Sequence, residues 1–384
     1  WRRPEMPLRP ANEVSWLPQP PRRSRARARL LLWAAAMLAL LLFLGGGYTI
    51  WWLNAADAFR DRTLAWIEQR RAEGWHLGYT AVSRRGYPLA LGVRFDQPEV
   101  SPPGGDDWHW RAGRVRLTAP VFGGRPPRLA IGGDQLIDIA EDGGRRQWAG
   151  RAEQMSFDVQ PADGWMPNGR LAVRDLTLTA KGGDSIGVGR MDLVSTGDPA
   201  AAATSDVSTW GMRLAAEHVQ LPAAFATACG RDLTRVELDA GLYGALQPRP
   251  WPAVLAAWRD DGGVVEVERL RLLCGELSID GEGTFALDGK GQPMGAMSTH
   301  IQGYDAALDR LAAAQTIDPH TAAAAKILLR ALARANADGA ATLSAPLSLQ
   351  DRSLSVGPVT LLRLAPVSWL NAAAAGPRPA PPNR

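Results

Sequence analysis

An uncharged run from Leu30 to Trp52 limits what this chain can fold into more than any other feature. Its 23 residues contain no Asp, Glu, Lys or Arg. As a helix rising about 1.5 Å per residue they reach about 34 Å, enough to cross a hydrocarbon core of about 30 Å. A signal peptide has a shorter apolar core, of about 7 to 15 residues. The run therefore predicts a membrane-spanning helix, and the alternative is a signal cleaved within the NAADA sequence, Asn54–Ala58.

The residues at the two ends of this run predict its orientation. Five arginines lie in the eight residues before it, and Arg25, Arg27 and Arg29 directly flank the anchor. The residues just beyond Trp52 carry both signs of charge, and positive flanks stay in the cytoplasm. We therefore expect a single-pass protein of a bacterial inner membrane, with its N-terminus in the cytoplasm and its main domain in the periplasm.

The charge distribution argues against nucleic acid as a partner. The whole chain carries a net charge of +4. Residues 1–29 hold eight arginines and two glutamates, hence +6, so the remainder of the chain carries about −2. A nucleic-acid-binding protein concentrates its positive charge on the folded domain. We expect no nucleic acid among the partners.

The composition along the chain predicts five segments. An amphipathic juxtamembrane helix should present Phe59, Thr63, Trp66, Ile67 and Arg70 on one face. The β-rich domain has a candidate division into two halves near residues 200–215. The segments are a disordered cytoplasmic tail (1–29), the transmembrane helix (30–52), the juxtamembrane helix (53–74), a periplasmic β-rich domain (75–376) and a second disordered tail (377–384).

Beyond residue 75 the apolar pattern changes to a period of two. In YPLALGVRF, four apolar residues alternate with Ala, Gly and Arg, and TLSAPLSLQ behaves in the same way. Strands with one apolar and one polar face are typical of antiparallel sheets. The fold class expected is α+β with strands dominant: an N-terminal transmembrane helix, then antiparallel amphipathic sheet with a few packed helices. The four alternating residues are Leu89, Leu91, Val93 and Phe95.

Three helices should interrupt the strands in the C-terminal half. The first is PWPAVLAAWRDDGG, and the second, YDAALDRLAAAQ, can be capped by Asp305. The third should begin at the N-cap Asp318 and end before Gly339. Two leucine pairs suit packing on a sheet: Leu308 with Leu311, and Leu328 with Leu332.

The two cysteines, Cys229 and Cys274, both follow the membrane run. An oxidising periplasm would allow them to form a disulfide, and the alternative is two buried free thiols. No histidine lies at ligand spacing from either one, so a metal site is not expected there.

No sequence pattern predicts catalysis. GDSIG, Gly183–Gly187, matches the GxSxG pattern, but it lies between two predicted strands rather than between a strand and a helix. His109 follows Asp106 and Asp107 in what we interpret as a solvated loop. Six tryptophans are interpreted as core residues rather than the lining of a ligand groove. We expect no cofactor and no metal, and we do not expect an enzyme. The tryptophans are Trp75, Trp108, Trp110, Trp148, Trp165 and Trp258.

Several motifs resemble those of the bacterial domain of unknown function 2125 family. The segment GWHLGYTAVSRRGYPLALGVRFDQPEVSPP contains a GW element followed by an RxGYP-type turn that enters a strand. WRAGRVRLTAPVF and LSLQDRSLSVGPVTLLRLAP agree further. Two departures are Cys274, where an aromatic residue is expected, and the loose match of PVFGGRPPRL. The resemblance implies no activity. Its layout is similar to that of AsmA-like proteins, which are associated with outer-membrane biogenesis and phospholipid transport.

Two functions from different classes are compatible with these features. In the first, the domain binds or transfers a phospholipid or another acyl ligand on a partly uncovered apolar sheet face, in envelope maintenance. In the second, that face is a closed core, and the protein is a non-catalytic scaffold that holds other envelope proteins. A lined groove and a filled core both alternate with period two, so the sequence does not separate them.

Overall fold

A computed structural model describes residues 24–103, 107–141, 144–160, 168–197, 208–222, 229–246, 251–335, 341–364 and 366–367. The strand-dominated fold predicted from the sequence is confirmed. By its contacts the chain divides into two units, Trp1–Ala55 and Ala56–Arg384. The membrane run and the juxtamembrane helix belong to one helix, α1 (Ser24–Ala72). The predicted tails fall mainly on residues outside the described part.

The described residues form four helices and nineteen strands. The helices after α1 are α2 (Trp251–Asp260), α3 (Tyr304–Ala313) and α4 (Pro319–Leu332). The strands are β1 (His76–Gly78), β2 (Ala81–Arg85), β3 (Ala90–Asp96), β4 (Glu99–Ser101), β5 (Trp108–Pro120), β6 (Arg128–Glu141), β7 (Gly144–Arg151), β8 (Gln154–Gln160), β9 (Asn168–Ala180), β10 (Ser185–Gly197), β11 (Trp210–Gln220), β12 (Asp232–Tyr243), β13 (Val264–Cys274), β14 (Leu277–Leu287), β15 (Pro293–Gln302), β16 (Arg334–Ala335), β17 (Ala341–Gln350), β18 (Ser353–Val356) and β19 (Val359–Arg363).

The strands follow one another in a long antiparallel meander. β2 pairs with β3, β3 and β4 pair with successive parts of β5, and β5 pairs with β6. β7 and β8 pair in the same way with β6 and then with β9. From β9 each strand pairs with the next as far as β15, which pairs with β17, and β18 and β19 complete the order. β10 and β11, which precede and follow residues 198–207, pair with each other from Gly187↔Gln220 to Gly197↔Trp210.

A line of irregular residues crosses the strands from β3 to β11. Gln97, Gly133, Asp175 and His218 all have positive φ, at 48°, 81°, 47° and 52°. Between β5 and β6 the strand register shifts at this line, as it does where a bulge adds a residue to one strand. Gly133 lies so close to β5 that a Cβ there would be 3.1 Å from the Cα of Gly113. We call this feature the bulge line.

The α3–α4 pair covers one end of the sheet. Asp318 caps α4 as predicted: its side chain accepts a hydrogen bond from the backbone N–H of His320 at 2.8 Å. The α3 cap is Gly303 rather than Asp305, which lies in the first turn. The α4 helix ends at Leu332, well before Gly339, because the chain becomes extended and Arg334 pairs with Thr342 of β17.

The side of α4 that faces the sheet differs from the prediction. Leu308 and Leu311 of α3 are buried as expected, but Leu328 and Leu332 are 42% and 44% exposed. The buried residues of α4 are Ala322, Ala325 and Leu329. Small alanines on the inner face allow a close approach, and this leaves the larger leucines outside.

The other end of the sheet is covered by the Ala56–Ala72 part of α1. Ile67 is buried with Val93 and Phe95 of β3, and Phe59 and Leu64 pack against this cluster. Phe59 and Ile67 therefore lie on the packed face, as predicted. Trp66 is instead 55% exposed, so its predicted place on that face is wrong.

Candidate lipid-binding face

The register of the strands places apolar residues side by side across the sheet. Directly opposite residues in an antiparallel pair project from the same face. Following the pairs from β3 to β17 gives an unbroken apolar ladder of twelve residues. This long ladder is Phe95, Val115, Ile131, Met155, Val173, Met191, Ala216, Val236, Leu272, Ile279, Ile301 and Leu343.

A second ladder runs beside the first over nine strands. On each of these nine strands it lies two residues away from the long ladder, so the two ladders share one face. Its members are Val93, Leu117, Leu129, Phe157, Leu171, Leu193, Leu214, Leu238 and Leu270.

Both ends of this face are filled by other parts of the chain. At the β3 end, Phe95 is 7% exposed beneath α1. At the far end, Ile301 and Leu343 belong to a cluster with residues of α3 and α4, among them Leu308 and Leu329. The face is an ordinary hydrophobic core at these two places.

The six strands between these ends present a different environment. Over β6 and β8–β12 most ladder residues are half-buried, and only Val173 and Ala216 are fully buried. Among the described residues, the buried clusters that contain helical residues do not include this stretch. We call it the middle face. Its residues are Leu129, Ile131, Met155, Phe157, Leu171, Val173, Met191, Leu193, Leu214, Ala216, Val236 and Leu238.

The dimensions of the middle face suit an acyl chain. Six strands about 4.8 Å apart extend for about 24 Å in the direction of the ladders. One leaflet of a bilayer core is about 15 Å thick, half of the total. A fully extended acyl chain of a membrane lipid therefore fits along the ladders without leaving the apolar surface.

The opposite face of the same strands carries paired charges. Asp158 of β8 accepts a hydrogen bond from Nη2 of Arg128 at 2.9 Å, and Asp192 of β10 pairs with Arg170. The hydrogen bond from Arg170 lowers the pKa of Asp192, and that from Arg128 lowers the pKa of Asp158. The sheet is thus strongly amphipathic, with one apolar face and one charged face.

An open concavity of about 1170 Å³ lies along the bulge line. Its lining residues include Glu99, Arg111, Asp134 and Arg151, and the last two form an ion pair at 2.7 Å. Arg111 lies on the other face from the buried Trp148, according to the pairing of β5, β6 and β7. None of the residues that line this concavity belongs to the middle face.

The two cysteines are joined in the structure. Cys229 and Cys274 form a disulfide with their Cα atoms 5.3 Å apart, and both side chains are buried beside α3 and α4. The bond attaches the end of the β11–β12 connection to β13.

The remaining sequence candidates lie outside the middle face. Ser185 of GDSIG begins β10, so its context is strand–turn–strand as predicted. Trp148 and Trp258 are 5% and 3% exposed. Trp165 and Asp106 fall outside the described residues. Within the described chain, no cluster of three His, Cys, Asp or Glu side chains could hold a metal ion.

The residues predicted to form the membrane anchor lie in α1. From Arg29 onward this helix is long and apolar enough to cross a membrane. Leu30, at the start of the uncharged run, is 72% exposed, whereas Trp52 at its end is 4% exposed. Arg25, Arg27 and Arg29 lie in the first turns of the helix.

The structure defines a class: proteins with one N-terminal membrane-span candidate and a long antiparallel sheet that is apolar along one face. The chain belongs to a bacterial family described as "Uncharacterized protein conserved in bacteria (DUF2125)", whose family model matches residues 52–365. The resemblance seen in the sequence motifs is confirmed. Neither a curated protein nor a solved structure matches the chain.

Proposed function

We propose that this protein is anchored in the bacterial inner membrane by α1 and binds phospholipid acyl chains on the middle face of a periplasmic domain. The observation that carries the proposal is the long ladder, apolar at every position from Phe95 to Leu343. Within the described part of the chain, its residues pack against helices only at its two ends. Large apolar faces left uncovered usually mark binding sites. Each methylene moved from water onto such a surface contributes about 0.8 kcal/mol.

The orientation and location support a role in the cell envelope. The arginines before the apolar run favour a cytoplasmic N-terminus, and a buried disulfide is typical of an oxidising compartment. A domain fixed beside a bilayer has a constant supply of acyl chains. Holding or passing on lipid is the activity that this position and this surface favour.

Adjacent residues on opposite faces of β11 provide the test. Leu214 belongs to the middle face, whereas Ala215 is exposed on the other face. The Leu214→Glu variant puts a charge where an acyl chain would lie, and Ala215→Glu adds the same charge outside that surface. Lipids bound around α1, and not on the middle face, should be present in equal numbers on the two variants.

The measurement is native mass spectrometry of the full chain, released from detergent micelles. We expect phospholipid adducts on the wild type and on Ala215→Glu, and a loss of at least one adduct on Leu214→Glu. Equal adducts on the two variants would contradict lipid binding. If Leu214→Glu failed to fold while Ala215→Glu folded, the face would be a closed core and the protein a scaffold, so the proposal would be wrong.

A further inference from the structure

Two neighbouring hairpin tips carry exposed apolar side chains. In the β2–β3 turn Tyr87 is 54% and Leu89 68% exposed, and in the β5–β6 turn Phe122 is 63% exposed. The tips are adjacent because the N–H of Val121 donates to the carbonyl oxygen of Leu89 at 3.0 Å. We call Tyr87, Leu89 and Phe122 the tip patch. It includes Tyr87, the tyrosine of the RxGYP-type motif, which is not part of the middle face.

The charges toward the tips of the two hairpins that carry the tip patch are positive. Arg85 at the end of β2 and Arg125 in the β5–β6 turn are both exposed. The sequence contains no Asp or Glu from Thr80 to Phe95 or from Trp108 to Gly133. The surface therefore complements an anionic one, with an apolar centre and a basic surround.

Two contacts show in which direction this end of the sheet points. The Arg71 side chain donates to the carbonyl oxygen of Leu77 at 2.8 Å, and Arg84 donates to Asp57 at 2.9 Å. From 77 to 84 the chain advances about 23 Å as a strand, and from 71 back to 57 it covers about 21 Å as a helix. The two segments are therefore antiparallel, and the tip patch lies past the Asp57 end of the Ala56–Ala72 segment.

The chain limits how far this end can be from a membrane. Asp57 follows Trp52, the last residue of the uncharged run, by five residues. Five residues reach at most about 18 Å even when fully extended. A bilayer that holds the uncharged run therefore keeps the Asp57 end of the domain close to its surface.

We propose that the tip patch is a second membrane contact, which docks on the anionic phospholipid surface of the bilayer that holds α1. Aromatic and apolar side chains enter the interfacial region, and the arginines pair with lipid phosphates. A second contact restricts rotation of the domain about α1 and fixes its orientation on the membrane. The inference depends on anchoring by α1 and does not depend on lipid binding at the middle face.

Photo-cross-linking of the full chain in lipid nanodiscs tests this docking. Phe122 is replaced by p-benzoylphenylalanine, and the control position is Lys290, exposed in the β14–β15 turn. With phosphatidylglycerol in the nanodisc, we expect lipid adducts at position 122 and few at 290. Lipid yields at 122 no higher than those at 290 would overturn the proposal, as would cross-links from 122 to a second copy of the chain in place of lipid.

Charge reversal provides an independent readout. The Arg85→Glu/Arg125→Glu variant should lower the lipid cross-linking at position 122, since each arginine shifts membrane association roughly fivefold. The matched control, Arg334→Glu/Arg363→Glu, changes the net charge equally at exposed positions elsewhere and should leave the yield unchanged. An equal effect of both pairs would contradict a local contact. Intact disulfide in every variant confirms that it is folded.

Discussion

Leucine-to-alanine substitutions distinguish an open middle face from a filled core. Leu343 is fully buried among α3, α4 and the sheet. Leu343→Ala removes three carbon groups, about 2.4 kcal/mol at 0.8 kcal/mol each, and leaves a cavity that adds to the loss. We expect the free energy of unfolding to fall by about 3–4 kcal/mol.

The same change at Leu214 should cost much less. This side chain is half-buried, and no described helical cluster includes it. Without an overlying layer there is little cavity to create, so we expect a loss of about 1 kcal/mol. Urea denaturation of the full chain in lipid-free micelles, followed by tryptophan fluorescence, measures both values. Equal losses at Leu343 and Leu214 would refute an open middle face.

Three other variants test the supporting framework. The Cys229→Ser/Cys274→Ser variant removes a disulfide between cysteines 45 residues apart and should lower the unfolding free energy by about 4 kcal/mol. An unchanged urea midpoint would contradict this. Asp192 has a lowered pKa because it is bound to Arg170, so its contribution is present above pH ~4 and is lost as the pH falls through the folded-state pKa. In the Asp192→Asn variant, the unfolding free energy should fall less on acidification than in the wild type. The difference should be less than about 1 kcal/mol because the ion pair with Arg170 is partly exposed. Gly133→Ala, at φ 81°, should destabilise by about 1–2 kcal/mol in thermal denaturation, and a neutral result would show that the bulge line relaxes easily.

The sequence predicts the strand-dominated class and the apolar faces of several strands. Alternation in YPLALGVRF predicts buried Val93 and Phe95, and both are buried. It also includes Leu89, which is 68% exposed because β3 begins one residue later, beyond a turn. Periodicity describes which side a residue faces, but it does not show where the sheet ends.

The order of the strands could have been predicted from the sequence, but the residues that lie side by side in the ladders could not. Short connections such as the one between Ala180 and Ser185 favour neighbouring antiparallel strands. Alignment of Met191 with Val173 and Ala216 depends on the residue-by-residue register. No composition signal in the sequence marks which residues of neighbouring strands are paired.

The α4 helix shows why a helix can be predicted and its packed face missed. Asp318, Pro319 and the apolar run indicate a helix and its start. Leu328 and Leu332 looked like the packed pair because they are large. The fold instead buries Ala322, Ala325 and Leu329, since close approach to β17 favours small side chains.

Photo-cross-linking at β11 tests the central claim most directly. With p-benzoylphenylalanine in place of Leu214 and, separately, of Arg213, the reactive group lies on the middle face or on the opposite face of the same strand. In the full chain, isolated from bacterial membranes after irradiation in cells, the account predicts a covalent phospholipid adduct at 214 and none at 213. Cross-links at 214 only to residues of this chain, or equal lipid adducts at both positions, would contradict it.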